Sequence, residues 1–122
     1  MELWKDIIGY ENLYEISNHG KINKKTITKI NKRGFQQTFQ GQKMTLSNRK
    51  GYLGVWLRNI DGNRKAYDVH RLVAQHFVDG YFEGAVVNHI DLNKHNNHYL
   101  NLEWITQQEN IQHYHDNHTK GV

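Results

Sequence analysis

Ala85-Val86-Val87-Asn88-His89-Ile90, the loop Asp91-Leu92-Asn93-Lys94-His95-Asn96-Asn97-His98-Tyr99-Leu100-Asn101, and Leu102-Glu103-Trp104-Ile105-Thr106 form the stretch whose reading decides the fold. The first six residues are apolar and β-branched until Asn88, as in a buried strand. The loop is polar and rich in Asn, and the five residues after it read as a second short strand. Thr106 is placed to cap a closing helix running from Gln107 through about Asn117. Strand, loop, strand and helix make a compact scaffold that can aim one residue from the first strand and one from the helix at a common point. His89 ends the first strand with Asn88 beside it, Asn101 lies at the foot of the loop, and Asn110 lies one turn into the helix.

Upstream, Leu72, Val73, His76 and Phe77 recur at helical spacing, which predicts a short helix over His70 to Val78 with Asp68 as its cap and Gly80 as its stop. At that spacing His76 is expected to pack against the core. Gly51-Tyr52-Leu53-Gly54-Val55-Trp56-Leu57-Arg58 reads as a strand, Asp61-Gly62 as a tight turn, and Arg64 to Val69 as the returning partner. Between 22 and 48, Lys25-Thr26-Ile27-Thr28-Lys29-Ile30 alternates as a half-exposed strand does. Trp4, Ile7, Ile8, Tyr10, Leu13, Tyr14 and Ile16, with Ser17-Asn18-His19-Gly20, suggest a strand or two closed by a turn. The expected class is therefore α+β, with an antiparallel, basic β-rich module over 1–68 packed against a core over 69–122. With 122 residues there is room for one domain's core.

Charge is unevenly placed. Thirteen of the sixteen Lys and Arg lie between Lys21 and Arg71, against two acids, Asp61 and Asp68. From Leu72 onward there are two Lys against six acids, while eight of nine His lie at or after position 70. Segregation of this kind fits binding of a polyanion better than general solubility. The absence of Cys removes disulfides, thiolate zinc sites and cysteine nucleophiles, so any metal must be held by His, Asn or carboxylates. No apolar stretch is long enough to span a bilayer, and the opening Met-Glu-Leu-Trp-Lys-Asp does not read as a signal peptide. A cytoplasmic protein with no membrane partner is expected.

The common point between strand and helix is where a metal could sit. Phosphodiester hydrolysis needs an activated water, a cation to neutralise developing charge, and a frame holding both in line. A neutral imidazole suits proton abstraction at physiological pH. The side-chain oxygens of Asn88 and Asn110 are hard ligands appropriate to Mg²⁺ or Mn²⁺. His113 shares the Asn110 face of the helix and is a candidate third ligand. The other reading of His113, His115 and His118 is a solvated helix end, where the dipole favours imidazolium. His95 and His98 are expected at the surface or on phosphate.

Val69-His70-Arg71-Leu72-Val73-Ala74, Val87-Asn88-His89-Ile90-Asp91, Asn93-Lys94, Asn96-Asn97, Asn101-Leu102, Trp104-Ile105-Thr106 and Asn110 together resemble the HNH endonucleases of phage introns and free-standing phage homing genes. Trp4-Lys5-Asp6-Ile7, Gly9-Tyr10-Glu11, Tyr14, Ile16-Ser17-Asn18 and Gly20-Lys21-Ile22 are similar to the NUMOD4-type module that often precedes that core. The resemblance implies a ββα-metal fold that cuts double-stranded DNA, often as a monomer nicking one strand, with one Mg²⁺ or Mn²⁺ ion. Carried over, it implies His89 as general base, Asn88 and Asn110 as metal ligands, and Asn101 as the residue that pins the loop and keeps His89 oriented. Asn88 stands where the best-known members carry Asp, which implies weaker metal binding. The alternative is a DNA-binding protein with an attenuated site; a structural zinc site is a third reading.

DNA would be held by the basic strands. Phosphate contacts are expected from Lys24, Lys25, Lys29, Lys32, Arg33, Arg49, Lys50, Arg58, Arg64 and Lys65, and from His70 and Arg71 at the helix start, where His70 has capping or packing as its other reading. Gln36, Gln37, Gln40, Gln42 and Asn48 are candidates for reading base edges.

Overall fold

The computed structural model describes residues 1–119, with side chains described through His113, so the side chains of His115 and His118 lie outside the described residues. Four antiparallel arrangements of strands and two helices make up a mixed α+β fold. Strands β1 (Trp4–Asp6), β2 (Tyr14–Ser17), β3 (Ile22–Lys24) and β6 (Gln42–Lys43) form a sheet in the order β1-β2-β3-β6. Between β3 and β6 the chain leaves as a two-stranded ribbon, β4 (Ile27–Ile30) and β5 (Gln36–Phe39), in which every residue but Ile27 is exposed. A second sheet, β7-β8-β9, joins Ser47–Arg49, Tyr52–Arg58 and Arg64–Asp68.

Alternation sets the register of β8. Val55 and Leu57 point into the core and are buried, while Trp56 and Arg58 between and after them are exposed. The connection to β9 is a five-residue loop organised by Asn59, whose Oδ1 accepts from the backbone N–H groups of Asp61 and Asn63 at 3.0 Å each. The expected Asp61-Gly62 turn lies within it, with Gly62 at φ +88°.

Helix α1 spans Val69–Phe77, one residue earlier than expected at each end. Asp68 occupies the cap position, but its side chain does not cap the helix; it faces Arg49 at 3.5 Å instead. The chain leaves the helix at Val78 in extended geometry, and Gly80, at φ +96°, turns it two residues later. His76 is buried as predicted: Nδ1 lies 2.6 Å from the Leu72 carbonyl and Nε2 accepts from the Ile8 N–H at 3.0 Å, which ties α1 to the N-terminal strands.

The last unit is β10 (Val86–His89) paired antiparallel with β11 (Leu102–Ile105), followed by α2 (Gln107–Thr119). Thr106 caps α2 reciprocally: its Oγ1 accepts from the Glu109 N–H at 3.0 Å and Glu109 Oε1 accepts from the Thr106 N–H at 3.1 Å. One hydrophobic core unites the chain. Ile7, Tyr10, Tyr14, Ile16 and Ile22 from the first sheet pack with Val55 and Leu57 from the second, Val69, Leu72 and Val73 from α1, and Leu102 from β11.

Candidate active site

His89 ends β10 and is 5% exposed. Its Nε2 lies 2.8 Å from Asn97 Oδ1. An amide oxygen only accepts, so Nε2 carries the hydrogen and Nδ1 holds the lone pair. Burial pushes the imidazole pKa down from 6.5; the Asn97 hydrogen bond and Asp91 oppose that shift, and Lys94 and His95 reinforce it. The ring is therefore neutral near pH 7, with one basic nitrogen.

A cavity of about 440 Å³ opens beside this ring, lined by Tyr52, Asn88, His89, Lys94, Asn110 and His113 among others. Three elements and a loop deliver them. β10 brings Asn88 and His89, α2 brings Asn110 and His113 on one face three residues apart, the Asn-rich loop brings Lys94, and β8 brings Tyr52. Asn88 is buried and its Nδ2 donates to Glu103 Oε1 at 2.9 Å, directly across the β10–β11 pair. Its oxygen is then the atom left for the cavity. Two amide oxygens and an imidazole, with space for water, fit a Mg²⁺ or Mn²⁺ ion that keeps part of its hydration shell.

Asn101 does not touch His89 in any hydrogen bond of the described residues. It ties the loop instead: Nδ2 donates to Asp91 Oδ1 and to the Asn96 carbonyl at 2.9 Å each, and Oδ1 accepts from the Asp91 N–H at 3.1 Å. Asn97 is the residue on the imidazole. His70, for which both a DNA contact and packing were expected, is 7% exposed and lies behind the site. Its ring lies 5.1 Å from His89 and 4.8 Å from Tyr52, centroid to centroid, and burial, with the neighbouring His89, pushes its pKa down to about 4. Of the two readings of His70, its burial fits packing at the start of α1.

Of the predicted DNA-facing cations, Lys24, Lys29, Lys32, Arg33, Lys50 and Arg71 are exposed. Arg58, Arg64 and Lys65 are exposed on β8 and β9; Arg64 lies over Trp56 and Lys65 over Tyr67. Lys25 is ion-paired with Asp6 at 2.8 Å, and Arg49 faces Asp68, so part of their charge is answered within the chain. Tyr52, Lys94, Asn97 and Glu103 were given no site role from sequence. Lys94 places its ammonium 4.8 Å from the Tyr52 ring centroid, and among the described residues no carboxylate pairs with it.

A β-hairpin closed by an Asn-rich loop, followed by a helix that faces its first strand across a His- and Asn-lined cavity, defines an HNH nuclease core. Residues 67–112 match the HNH endonuclease family model and residues 2–58 the NUMOD4 motif. Residues 67–112 thus carry the HNH endonuclease match, behind a NUMOD4 motif. It is 40% identical over 109 residues to the DNA endonuclease I-HmuI of Bacillus phage SP01, covering 89% of this chain and 55% of that protein. An uncharacterized HNH endonuclease of Acanthamoeba polyphaga mimivirus is 38% identical over 110 residues, covering 90% of this chain and 29% of the relative. The solved structure of I-HmuI binding and cleaving DNA superposes with a TM-score of 0.78 at 39% identity, over 96% of this chain and 60% of that one. The chain thus spans about half the length of the first of these relatives and less of the second. HNH nucleases are generally dependent on divalent metal. No described helix is long and apolar enough to cross a membrane.

Proposed function

We propose that this chain is a metal-dependent DNA endonuclease that hydrolyses a phosphodiester bond with His89 as the general base. The observation that carries the reading is the single cavity that gathers His89, Asn88, Asn110 and His113 while Asn97 holds Nε2 and leaves Nδ1 basic. Asn88 and Asn110 would hold Mg²⁺ or Mn²⁺, with His113 as third ligand. When bound, the cation supplies neutralisation of charge on the phosphate and the leaving oxygen.

The chain's own residues do the rest. Nδ1 of His89 takes the proton of the attacking water, and the ring's burial keeps it unprotonated and ready. Asn101 keeps the Asp91–Asn101 loop closed, so Asn97 stays in place. The ammonium of Lys94 stands at the cavity, available to the scissile phosphate and hindering protonation of His89. Lys24, Lys29, Lys32, Arg33, Arg49, Lys50, Arg58, Arg64, Lys65 and Arg71 hold the duplex backbone on either side, and the exposed β4–β5 ribbon lies along a groove. The protein acts on double-stranded DNA as a monomer, in a host cytoplasm.

Supercoiled plasmid incubated with the purified chain and a series of Mg²⁺, Mn²⁺ and Ca²⁺ tests this reading. Nicked or linear product with Mg²⁺ or Mn²⁺, and none after chelation, is the expected result. Intact plasmid together with a shifted band in a native gel would instead make the chain a DNA-binding module with an attenuated site.

A further inference from the structure

Asn88 and Glu103 form a pair whose consequence is a division of labour. Asn88 is 5% exposed and lines the cavity, and it stands directly opposite Glu103 in the antiparallel register of β10 and β11. Its Nδ2 donates to Glu103 Oε1 at 2.9 Å. A carboxamide in a metal pocket has two faces that differ only in chemistry, one donor and one acceptor. A swing of about 180° would turn the NH₂ toward the cation and abolish ligation. Glu103 forbids the swing, because an ionised carboxylate accepts only, and it cannot bond to the amide oxygen. Among the described residues nothing donates to Asn88 Oδ1, so that oxygen is free for the cavity.

The pair also restores a charge. Asn88 is neutral, and Asn110 and His113 across the cavity are neutral or cationic. A carboxylate hydrogen-bonded to the amide N–H draws electron density toward the amide oxygen and places a negative charge one hydrogen bond behind it. We propose that Glu103 is the positioning residue of the metal pocket, fixing Asn88 with its oxygen inward and backing that neutral ligand with the negative charge it lacks. This rests on the reading of the cavity as a divalent-cation site. It also reverses a simple expectation about Asn88→Asp: with Glu103 unchanged, that substitution would set two carboxylates 2.9 Å apart across the strands in place of an amide and a carboxylate.

Mn²⁺ binding to the full chain without DNA, followed by electron paramagnetic resonance of free Mn²⁺, reads the proposal without reference to cleavage. Glu103→Gln keeps the size of the side chain and removes the charge and the enforced orientation. It should weaken Mn²⁺ binding about 10-fold, as loss of an outer-shell partner does. Adding Asn88→Asp to Glu103→Gln moves the carboxylate to the cavity and lets the new amide donate to it, so binding should return to the wild-type value or better. Wild-type binding unaltered by Glu103→Gln would overturn the role of Glu103 while leaving the metal pocket standing. Weakening without recovery in the double variant would mean that Glu103 only supports the strand pair, and would equally overturn it. Failure of the wild-type chain to bind Mn²⁺ at all would remove the pocket and the proposal together.

Discussion

Asn97 is 4% exposed, and its oxygen is the only described partner of the His89 ring at hydrogen-bond distance. Replacing it by Ala should release the ring to either tautomer and to rotation, with single-turnover cleavage falling by about 10-fold or more while the affinity for DNA in a gel shift stays within about twofold. The pH profile follows from the same ring. A base must be unprotonated, and burial holds the His89 pKa below 6.5, so cleavage should rise with pH along an acidic limb whose midpoint lies below 6.5. A limb centred above 6.5 would mean that His89 gains a carboxylate partner that the structure lacks. That His89, Asn88, Asn110 and His113 would come to one cavity was legible in the sequence because the strand end and the helix face fix their directions. Asn97 was not, because Asn93, Asn96, Asn97 and Asn101 look alike in a loop and only its folded path says which one turns inward. Tyr52 was illegible for another reason: its contact with His89 spans the chain from β8 to β10, and no local period records it.

At the scale of elements, the turn between β2 and β3 braces the active-site loop. Ser17 Oγ accepts from the His19 and Lys21 N–H groups, Asn18 offers its carbonyl to the Tyr99 N–H at 2.9 Å, and Gly20 sits at φ +87°. A Cβ at Gly20 would lie 2.9 Å from Cβ of Asn97, in a backbone conformation that side chains rarely adopt. Gly20→Ala should therefore act at a distance along the chain: it displaces Asn97, and cleavage should fall by roughly 10-fold, with a loss of about 1–3 kcal/mol in chemical denaturation. Unchanged cleavage in a folded variant would show that the turn does not position the loop. Strands β3, β5, β6 and β7 are short and, β3 apart, exposed, and they carry no apolar alternation. Strands β8 to β11 and both helices were legible to within a residue or two, because apolar alternation in β8 and helical spacing in α1 are strong signals. The roles at their ends were less so. Asp68 looks like a cap in sequence, yet Arg49 from β7, across β8 in the same sheet, faces its carboxylate, a choice that only the sheet's pairing reveals.

The molecule as a whole was expected as a basic module and a nuclease core, and its core and cavity draw on residues from both sides of position 68. Tyr52 and His70 meet behind His89, and the N-terminal sheet shares its apolar face with α1 and β11. Burying His70 in this joint has a consequence for stability. Its pKa of about 4 in the folded chain lies below the ordinary 6.5, so above pH 6.5 both states are neutral and nothing is lost. Between 6.5 and 4 the unfolded chain takes up a proton that the folded chain refuses, and stability falls as pH falls, by about 1 kcal/mol per pH unit. Thermal melts across that window should show the decline, and His70→Phe, which keeps a ring against Tyr52, should make it shallower, with the part due to His89 remaining. The distribution of cations was legible because charge needs no fold to be counted. Which of them are answered internally, as Lys25 is by Asp6, needed the sheet that brings them together.

The most direct test of the account is His89→Ala under single-turnover conditions with Mn²⁺ and a duplex the wild type cuts. A loss of about 10²–10⁴ in cleavage rate is expected, with DNA and Mn²⁺ affinities close to wild type. Cleavage by the variant at the wild-type rate would contradict the role of His89 as general base, because the attacking water would then lose its proton without it.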